Sequence, residues 1–428
     1  MCSPNAASPR LCPAVPKNAL YLACGAACAL LSQGATADFI ADKKITLSTT
    51  NIYFNRDYRN GPNDRKEWGQ NFVLDARSGF TEGTVGFGLD AIGWLGVKLD
   101  SSPDRTRTGL LPRHDDGYAA DEYSRLGLTG KVKLSETEVR YGSHVMDVPL
   151  VVSNGSRLMP QTYEGLQLGS REWGGLTLSG GRLSKVIARD STNTEKLQLS
   201  SSNGRYAGGV EADNLIFGGA DYRFNSSYTA RYWYGELDDI YRQHFLGFIT
   251  SHKVGPGTFK SDWRLSLSHD TGKSKGGKVD NRAFNTMLSY KFDNGHALAA
   301  AWQQMSGDTG FATVAGSDPF LHNYVQIGDF ANAGERSWQA RYDYDFAALG
   351  VKGLTFMTRY VKGEHGKIGQ TNQRGKEWER NVDIRYTVPE GVLKNFYVRW
   401  RNGVLRTSLV PTDSQDENRL YIGYAYTF

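Results

Sequence analysis

The segment Phe396-Tyr397-Val398-Arg399-Trp400-Arg401-Asn402-Gly403-Val404 decides how the chain is to be read. Phe396, Val398 and Trp400 alternate with Tyr397, Arg399 and Arg401. An extended strand there carries one apolar face and one face with two guanidinium groups. Such alternation is common in antiparallel sheets whose apolar face lies in a core and whose charges lie in water. It fits the inverse arrangement equally well, with the apolar face against lipid and the arginines lining a water-filled lumen. The rest of the chain chooses between them.

Residues 1–37 have the features of an export signal peptide. Arg10 and Lys17 form a weakly basic start, Ala19–Leu31 is an apolar run, and Ala35-Thr36-Ala37 offers a small-x-small cleavage site. The run is shorter than the ~18 residues a permanent membrane helix needs. The long stretch ahead of it leaves the true start codon open. All four cysteines (Cys2, Cys12, Cys24 and Cys28) fall within this segment. Disulfides, thiolate catalysis and cysteine–metal sites are therefore excluded from the expected mature chain, 38–428. Tyr21 and Gly25 stand three residues before Cys24 and Cys28, where a lipid-anchor signal would have leucine. Removing Arg10 and Lys17 takes the formal charge from +5 to +3, too balanced for a nucleic-acid binder. An exported chain with 49 glycines, 12% aromatics and a mean hydropathy of −0.49 suits a β-barrel, half of whose strand residues are polar.

From Lys44 onward one unit repeats: about ten alternating residues, a short turn, ten more, then a longer polar loop. Strands are expected over Leu166–Trp173, Tyr228–Leu237, Phe259–Ser268, Arg282–Phe292, Ser337–Phe346, Leu354–Val361, Glu379–Val388, Phe396–Leu405 and Arg419–Phe428. Turn chemistry marks the short links, as in Gly255-Pro256-Gly257 and Asp293-Asn294-Gly295. The other links are long and polar: 99–122, 147–163, 191–212, 308–335 and 363–376. Short turns at one end and long loops at the other belong to an outer-membrane barrel. The hairpins number about nine, giving about 18 strands and room for an aqueous channel. The expected fold is all-β: one transmembrane antiparallel β-barrel over 38–428, multi-pass in the outer membrane of a Gram-negative bacterium, with long extracellular loops.

At the C-terminus Leu420, Ile422, Tyr424, Tyr426 and Phe428 share one face. This resembles the terminal strand that the barrel-assembly machinery reads in bacterial outer-membrane proteins. The whole chain resembles the OprD family of substrate-specific porins of pseudomonads. The stretches that carry the likeness include IYFNRDYR (52–59), SGFTEGTVGFGLDAIGWLGVKLD (78–100), SRLMPQTYEG (156–165), YGELDDIYRQ (234–243), VQIGDFANAGERSWQARYDYDFA (325–347), GLTFMTRY (353–360) and VRWRNG (398–403). The resemblance implies an 18-stranded barrel, a monomer or weak homotrimer, with loops folded inward to narrow the pore. It also implies that the loop 147–163 helps form the constriction, that Arg157 is the constriction arginine and that Arg399 and Arg401 are the basic pair facing it. It places acidic groups on the opposite wall, at Asp329 and, with a one-residue ambiguity, Asp318.

Strand parity turns further basic residues toward the lumen. If Val382, Ile384 and Tyr386 face lipid, Asp383 and Arg385 face in. If Trp338 and Tyr342 face lipid, Arg341 faces in, and the same test turns in Arg264, Lys260, Arg231, Arg125, Lys131 and Arg140. A column of guanidiniums offers an anionic solute successive bidentate sites, each weak enough to release it. The bland alternative is that these arginines pair with wall carboxylates such as Asp75, Asp262, Asp343 and Asp383.

The leading expectation is a passive porin for small carboxylate-bearing solutes, leaning to aromatic or cyclic monocarboxylates. The alternative within the family is a basic amino-acid or dipeptide channel. No ATP motif, phosphate loop or metal constellation is evident, so no cofactor, metal or catalytic residue is expected and flux is downhill. The expected partners are outer-membrane lipid and lipopolysaccharide, the barrel-assembly machinery and the solutes themselves. A barrel hydrolase using His144 or His322 is a separate reading, without a catalytic signature around either histidine. A plugged barrel is another, but only residues 38–43 precede the first expected strand.

Overall fold

The computed structural model describes residues 42–428, so the candidate signal segment lies outside the described residues. The wall is one sheet of 18 antiparallel strands. In chain order they are β1 (Lys44–Tyr58), β2 (Arg65–Arg77), β3 (Val85–Ser101), β4 (Glu122–Leu134), β5 (Thr137–His144) and β6 (Thr162–Ser170). There follow β7 (Leu176–Ile187), β8 (Leu215–Arg223), β9 (Tyr228–Leu237), β10 (Tyr241–Val254), β11 (Gly257–Asp270) and β12 (Asp280–Phe292). The last six are β13 (His296–Ser306), β14 (Arg336–Asp345), β15 (Leu354–Lys367), β16 (Arg374–Thr387), β17 (Tyr397–Thr407) and β18 (Gln415–Thr427). Strand β18 closes the sheet on β1, from Thr46 opposite Thr427 to Tyr58 opposite Gln415. Closure leaves no edge, which is what a sheet surrounded by hydrocarbon requires.

The outward face repeats the alternation of the sequence. Val398, Trp400, Ile384, Leu126 and Leu128 are all exposed on the barrel's outside, where lipid covers them. Tyr426 and Phe428 meet edge to face at 4.9 Å near the short-turn end, as members of an interfacial aromatic girdle. The segment 363–376, expected as a long loop, is mostly strand: β15 runs to Lys367, β16 begins at Arg374, and a bulge lies between Glu364 and Gly366. The reason is physical. These residues rise beyond the apolar belt, so their outward positions carry Glu364 and Lys376 and the hydrophobic alternation that marks a lipid-facing strand vanishes.

Part of the lumen is not polar at all. Leu183, Phe217, Trp233 and Phe245 point inward and pack with Met146, Val148 and Leu150 of the loop 145–161. A second cluster joins Leu158 and Met159 of that loop to Ile52, Trp94, Leu110 and Tyr123. Two wall glycines make the close approach possible. A Cβ on Gly69 would sit 2.6 Å from Leu158 Cδ1, and one on Gly235 would sit 2.8 Å from Leu150 Cδ1.

Leu158 is 1% exposed. Leu158→Ala removes its transfer energy and leaves a cavity, a cost of about 2–4 kcal/mol, charged to loop docking rather than to the wall. The expected outcome is faster proteolysis within 145–161 and a larger, noisier single-channel conductance, with the heat-modifiable gel mobility of the folded barrel unchanged.

Candidate pore constriction and its charged lining

Two loops from the extracellular end fold into the barrel and are joined to each other. The loop 145–161 is held by Arg125, whose Nη2 donates to the Pro160 carbonyl at 2.7 Å, and by the Asn71 amide, which donates to the Leu158 carbonyl. The loop 307–335 is held by Glu379 on β16. Its carboxylate accepts from the Gly328 amide at 2.7 Å and the Ile327 amide at 3.1 Å. Gln303 on β13 donates to the Phe330 carbonyl at 2.8 Å. Between the loops the Asp318 amide donates to the Val152 carbonyl at 2.9 Å, and Asn154 Nδ2 donates to the Asp318 carboxylate at 2.6 Å. Gln161 Nε2 donates to the Ala315 carbonyl at 2.8 Å.

Beside this joint lies a cavity of about 310 Å³. Arg56, Arg157, Arg189 and Arg419 line it together with Asp318 and Tyr324. Three of these arginines surround one ring: the guanidinium carbons of Arg157, Arg419 and Arg56 lie 4.6, 5.0 and 5.3 Å from the centroid of Phe54 on β1. Such cation–π contacts hold charge over an apolar surface without neutralising it. Arg56 and Arg419 flank the fully buried Glu417 carboxylate, at 2.6 and 2.5 Å. The Arg157 Nε donates to the Thr108 carbonyl at 2.8 Å and its Nη1 to Ser156 Oγ at 2.8 Å. Burial, then the neighbouring Arg419 and Arg189, push the Arg157 guanidinium well below its ordinary value. A guanidinium does not release its proton in a protein, so Arg157 stays charged in this dehydrated setting.

The acidic side has a different character. Burial raises the Asp318 carboxyl, although Tyr324 Oη donates to it at 2.6 Å. Asp329 is ion-paired with the buried Arg205. Its second oxygen, Oδ1, has no hydrogen-bond partner among the described residues.

Arg157 is seated on the ring of Phe54 together with Arg419 of β18; the pair expected to face it is Arg399 and Arg401. Those two stand on β17 and both reach Asp383, Arg399 Nη2 at 2.5 Å and Arg401 Nε at 3.3 Å. Arg401 is directly opposite Arg419 in the ladder, which links this pair to the cavity. Further round the wall each arginine has its own carboxylate: Arg264 with Asp262 at 2.9 Å, Arg341 with Asp343 at 2.7 Å, Arg231 with Asp221 at 3.0 Å and Arg140 with Glu138 at 2.6 Å. Three of these pairs are two residues apart on one strand, where side chains share a face. Lys131 pairs with Asp90 at 2.6 Å. Arg385 instead stacks on Tyr397 at 4.3 Å, and Arg264 lies 3.9 Å over Phe320. Lys260 is exposed near the short-turn end of β11. His322 Nε2 lies 3.1 Å from the Asp262 carbonyl, and His144 Nε2 lies 3.0 Å from the Gly165 carbonyl.

Arg56, Arg189, Arg419 and Glu417 were not singled out from the sequence. Parity would have found three of them, because Leu420 and Ile422 facing lipid force Arg419 and Glu417 inward and Tyr53 facing lipid does the same for Arg56. Arg189 sits in a loop and has no such periodic signal.

At the end of the second loop, Glu335 is 1% exposed and accepts from the Asn332 amide at 3.0 Å and from its side chain at 2.8 Å. Burial pushes this carboxyl from its ordinary 4.5 up to about 7. Between those values the folded state keeps a proton that the unfolded chain has released. Stability is therefore fully present at low pH and is lost as pH rises toward 7. Glu335→Gln is expected to raise the thermal midpoint at pH 8 and to leave it nearly unchanged at pH 4, as read by differential scanning calorimetry in detergent.

Known proteins share this architecture. The family model described as outer membrane porin, OprD family, matches residues 37–428. The chain is 37% identical over 417 residues to Porin D of Pseudomonas aeruginosa, covering 92% of each chain. The crystal structure of P. aeruginosa OccK9 (OpdG) superposes with a TM-score of 0.88 at 42% identity, over 92% of this chain and all of that one. The P. aeruginosa OpdK structure with vanillate superposes with a TM-score of 0.85 at 38% identity, over 91% of this chain and all of that one. This chain belongs to the OprD family of outer-membrane porins.

Proposed function

We propose that the channel passes small solutes bearing a single carboxylate, with aromatic or cyclic monocarboxylates as the preferred class. The observation that carries this reading is the cluster of Arg56, Arg157 and Arg419 around Phe54, opening on a cavity of about 310 Å³. A carboxylate accepts paired hydrogen bonds from a guanidinium in its own plane. The volume lies at the lower end of the range of small-molecule sites, which favours a compact solute. Tyr324 and Asp318 on the facing loop offer a hydroxyl and a carboxyl to the solute's far end. The relative OpdK, solved with the aromatic carboxylate vanillate, supports the same class.

In this reading Arg399, Arg401, Arg385, Arg341, Arg264, Arg231 and Arg140 form the approach and exit path, with Asp329 and Asp318 on the acidic side; Arg125 is buried under the loop 145–161 and holds it instead. Pairing of most of these arginines with wall carboxylates moderates each site, and weak successive sites are what flux demands. The cavity arginines bind and those on the path relay.

Liposome uptake of benzoate-like acids, measured against arginine and neutral sugars, tests the class. Arg157→Ala and Arg419→Ala are each expected to lower benzoate uptake at least tenfold and to leave sugar leakage unchanged. Arg399→Ala with Arg401→Ala is expected to cut it severalfold and to reduce anion selectivity in planar bilayers. Saturable arginine uptake without benzoate uptake would favour the basic amino-acid alternative.

A further inference from the structure

On the outside of the barrel a cationic patch lies where lipid, not water, should be the neighbour. At the extracellular ends of β14, β15 and β16 the outward positions hold Arg336, Lys362, Lys376 and Arg380. They are interleaved with Trp338, Tyr360 and Trp378, which form an aromatic row: Trp338–Tyr360 at 5.6 Å and Tyr360–Trp378 at 5.7 Å. Ladder register fixes the arrangement. Arg336 and Lys376 both lie directly opposite Glu364, Lys362 lies between Trp338 and Trp378, and Arg380 lies opposite Tyr360. The one carboxylate among these positions, Glu364, pairs with Lys362 at 2.7 Å. Arg336, Lys376 and Arg380 have no salt-bridge partner among the described residues, and Arg380 donates only to the neutral Asn402 side chain, at 3.2 Å. Arg406 on β17 extends the band and is matched by Asp416 at 2.6 Å.

Three uncompensated cations beside a lipid-facing aromatic row call for an anion at the level of the outer-leaflet headgroups. We infer that Arg336, Lys362, Lys376 and Arg380 form a binding site for the phosphate groups of an outer-leaflet glycolipid of the lipid A type. The geometry supports a headgroup with two phosphates. Arg336 and Lys376 are two strand spacings apart, about 10 Å, so one phosphate does not satisfy both. The rings of Trp338, Tyr360 and Trp378 offer flat faces to sugar and to the first methylenes of the acyl chains. Arg380 stands one outward position below Trp378, and its long stem lets the guanidinium rise toward the headgroups. A second copy of this chain is a poor occupant, because a two-fold contact on this patch would set like charges against each other.

The test uses the full-length barrel in detergent, with native mass spectrometry reading bound lipid. The probes are bis-phosphorylated lipid A and the same lipid with its phosphates removed. The wild type is expected to retain the phosphorylated lipid at least tenfold more tightly, and Arg336→Gln with Arg380→Gln to abolish that preference. The control, Arg182→Gln with Arg242→Gln, changes outward arginines on β7 and β10, away from the patch, and should behave as wild type. Equal retention of the two lipids by the wild type overturns the proposal whatever the variants do. So does undiminished preference in Arg336→Gln/Arg380→Gln, or displacement of the lipid by an excess of inorganic phosphate, which would mark a free-anion site. Single-channel conductance of each variant, expected to match wild type, verifies the fold and separates this result from the transport reading.

Discussion

Closure of the backbone ladder between β1 and β18 is the constraint on which everything else rests. In hydrocarbon an unpaired peptide group costs several kcal/mol, so a sheet in lipid must end where it began. Once it closes, each strand has one face in lipid and one in the lumen, and chemistry is sorted by parity alone. Val398 and Trp400 go out because Arg399 and Arg401 go in. The charged interior follows from that sorting and needs no separate explanation.

A wide barrel alone would be an unselective hole, and the chain fills it from above. Packing, and not only hydrogen bonding, holds the inserted loops. Leu158 and Met159 press on Ile52 and Trp94, and Leu150 presses toward Phe217 and Trp233. Carboxylates then fix the remaining backbone, as Glu379 does for Ile327 and Gly328. The apolar packing of the loops reaches Ile52 on β1, two residues from Phe54, where Arg56, Arg157 and Arg419 gather. The apolar plug and the charged track are two halves of one arrangement.

Strand alternation, turn chemistry and the sorting of loops by length made the barrel and its strand count legible in the sequence. Legibility failed where lipid no longer imposes a pattern. The outward residues of 363–376 lie above the apolar belt and read as loop, although Lys367 and Arg374 are ladder partners. Inside the barrel, parity places a side chain on the lumen face but cannot say which loop lies against it. Family likeness pointed to Arg157, whereas its seat on Phe54 depends on the loop path through Thr108 and Ser156. The inward Trp233 and Phe245 are also silent in the sequence, because an apolar residue on the polar face looks like a flaw in the pattern until the loop that covers it is known.

The joint between the two inserted loops bears on how such channels diverge. Asp318, Val152, Asn154, Gln161 and Ala315 knit residues more than 150 positions apart into a single seam. A substitution that moves one loop loses bonds donated by the other, so the two cannot drift independently. Selectivity is inherited as a pair of segments, and a graft of either loop alone into a related barrel would arrive without its counterpart. A lineage acquiring a new solute must revise both sides of the seam together or leave its width as it was and alter only the side chains that look into it.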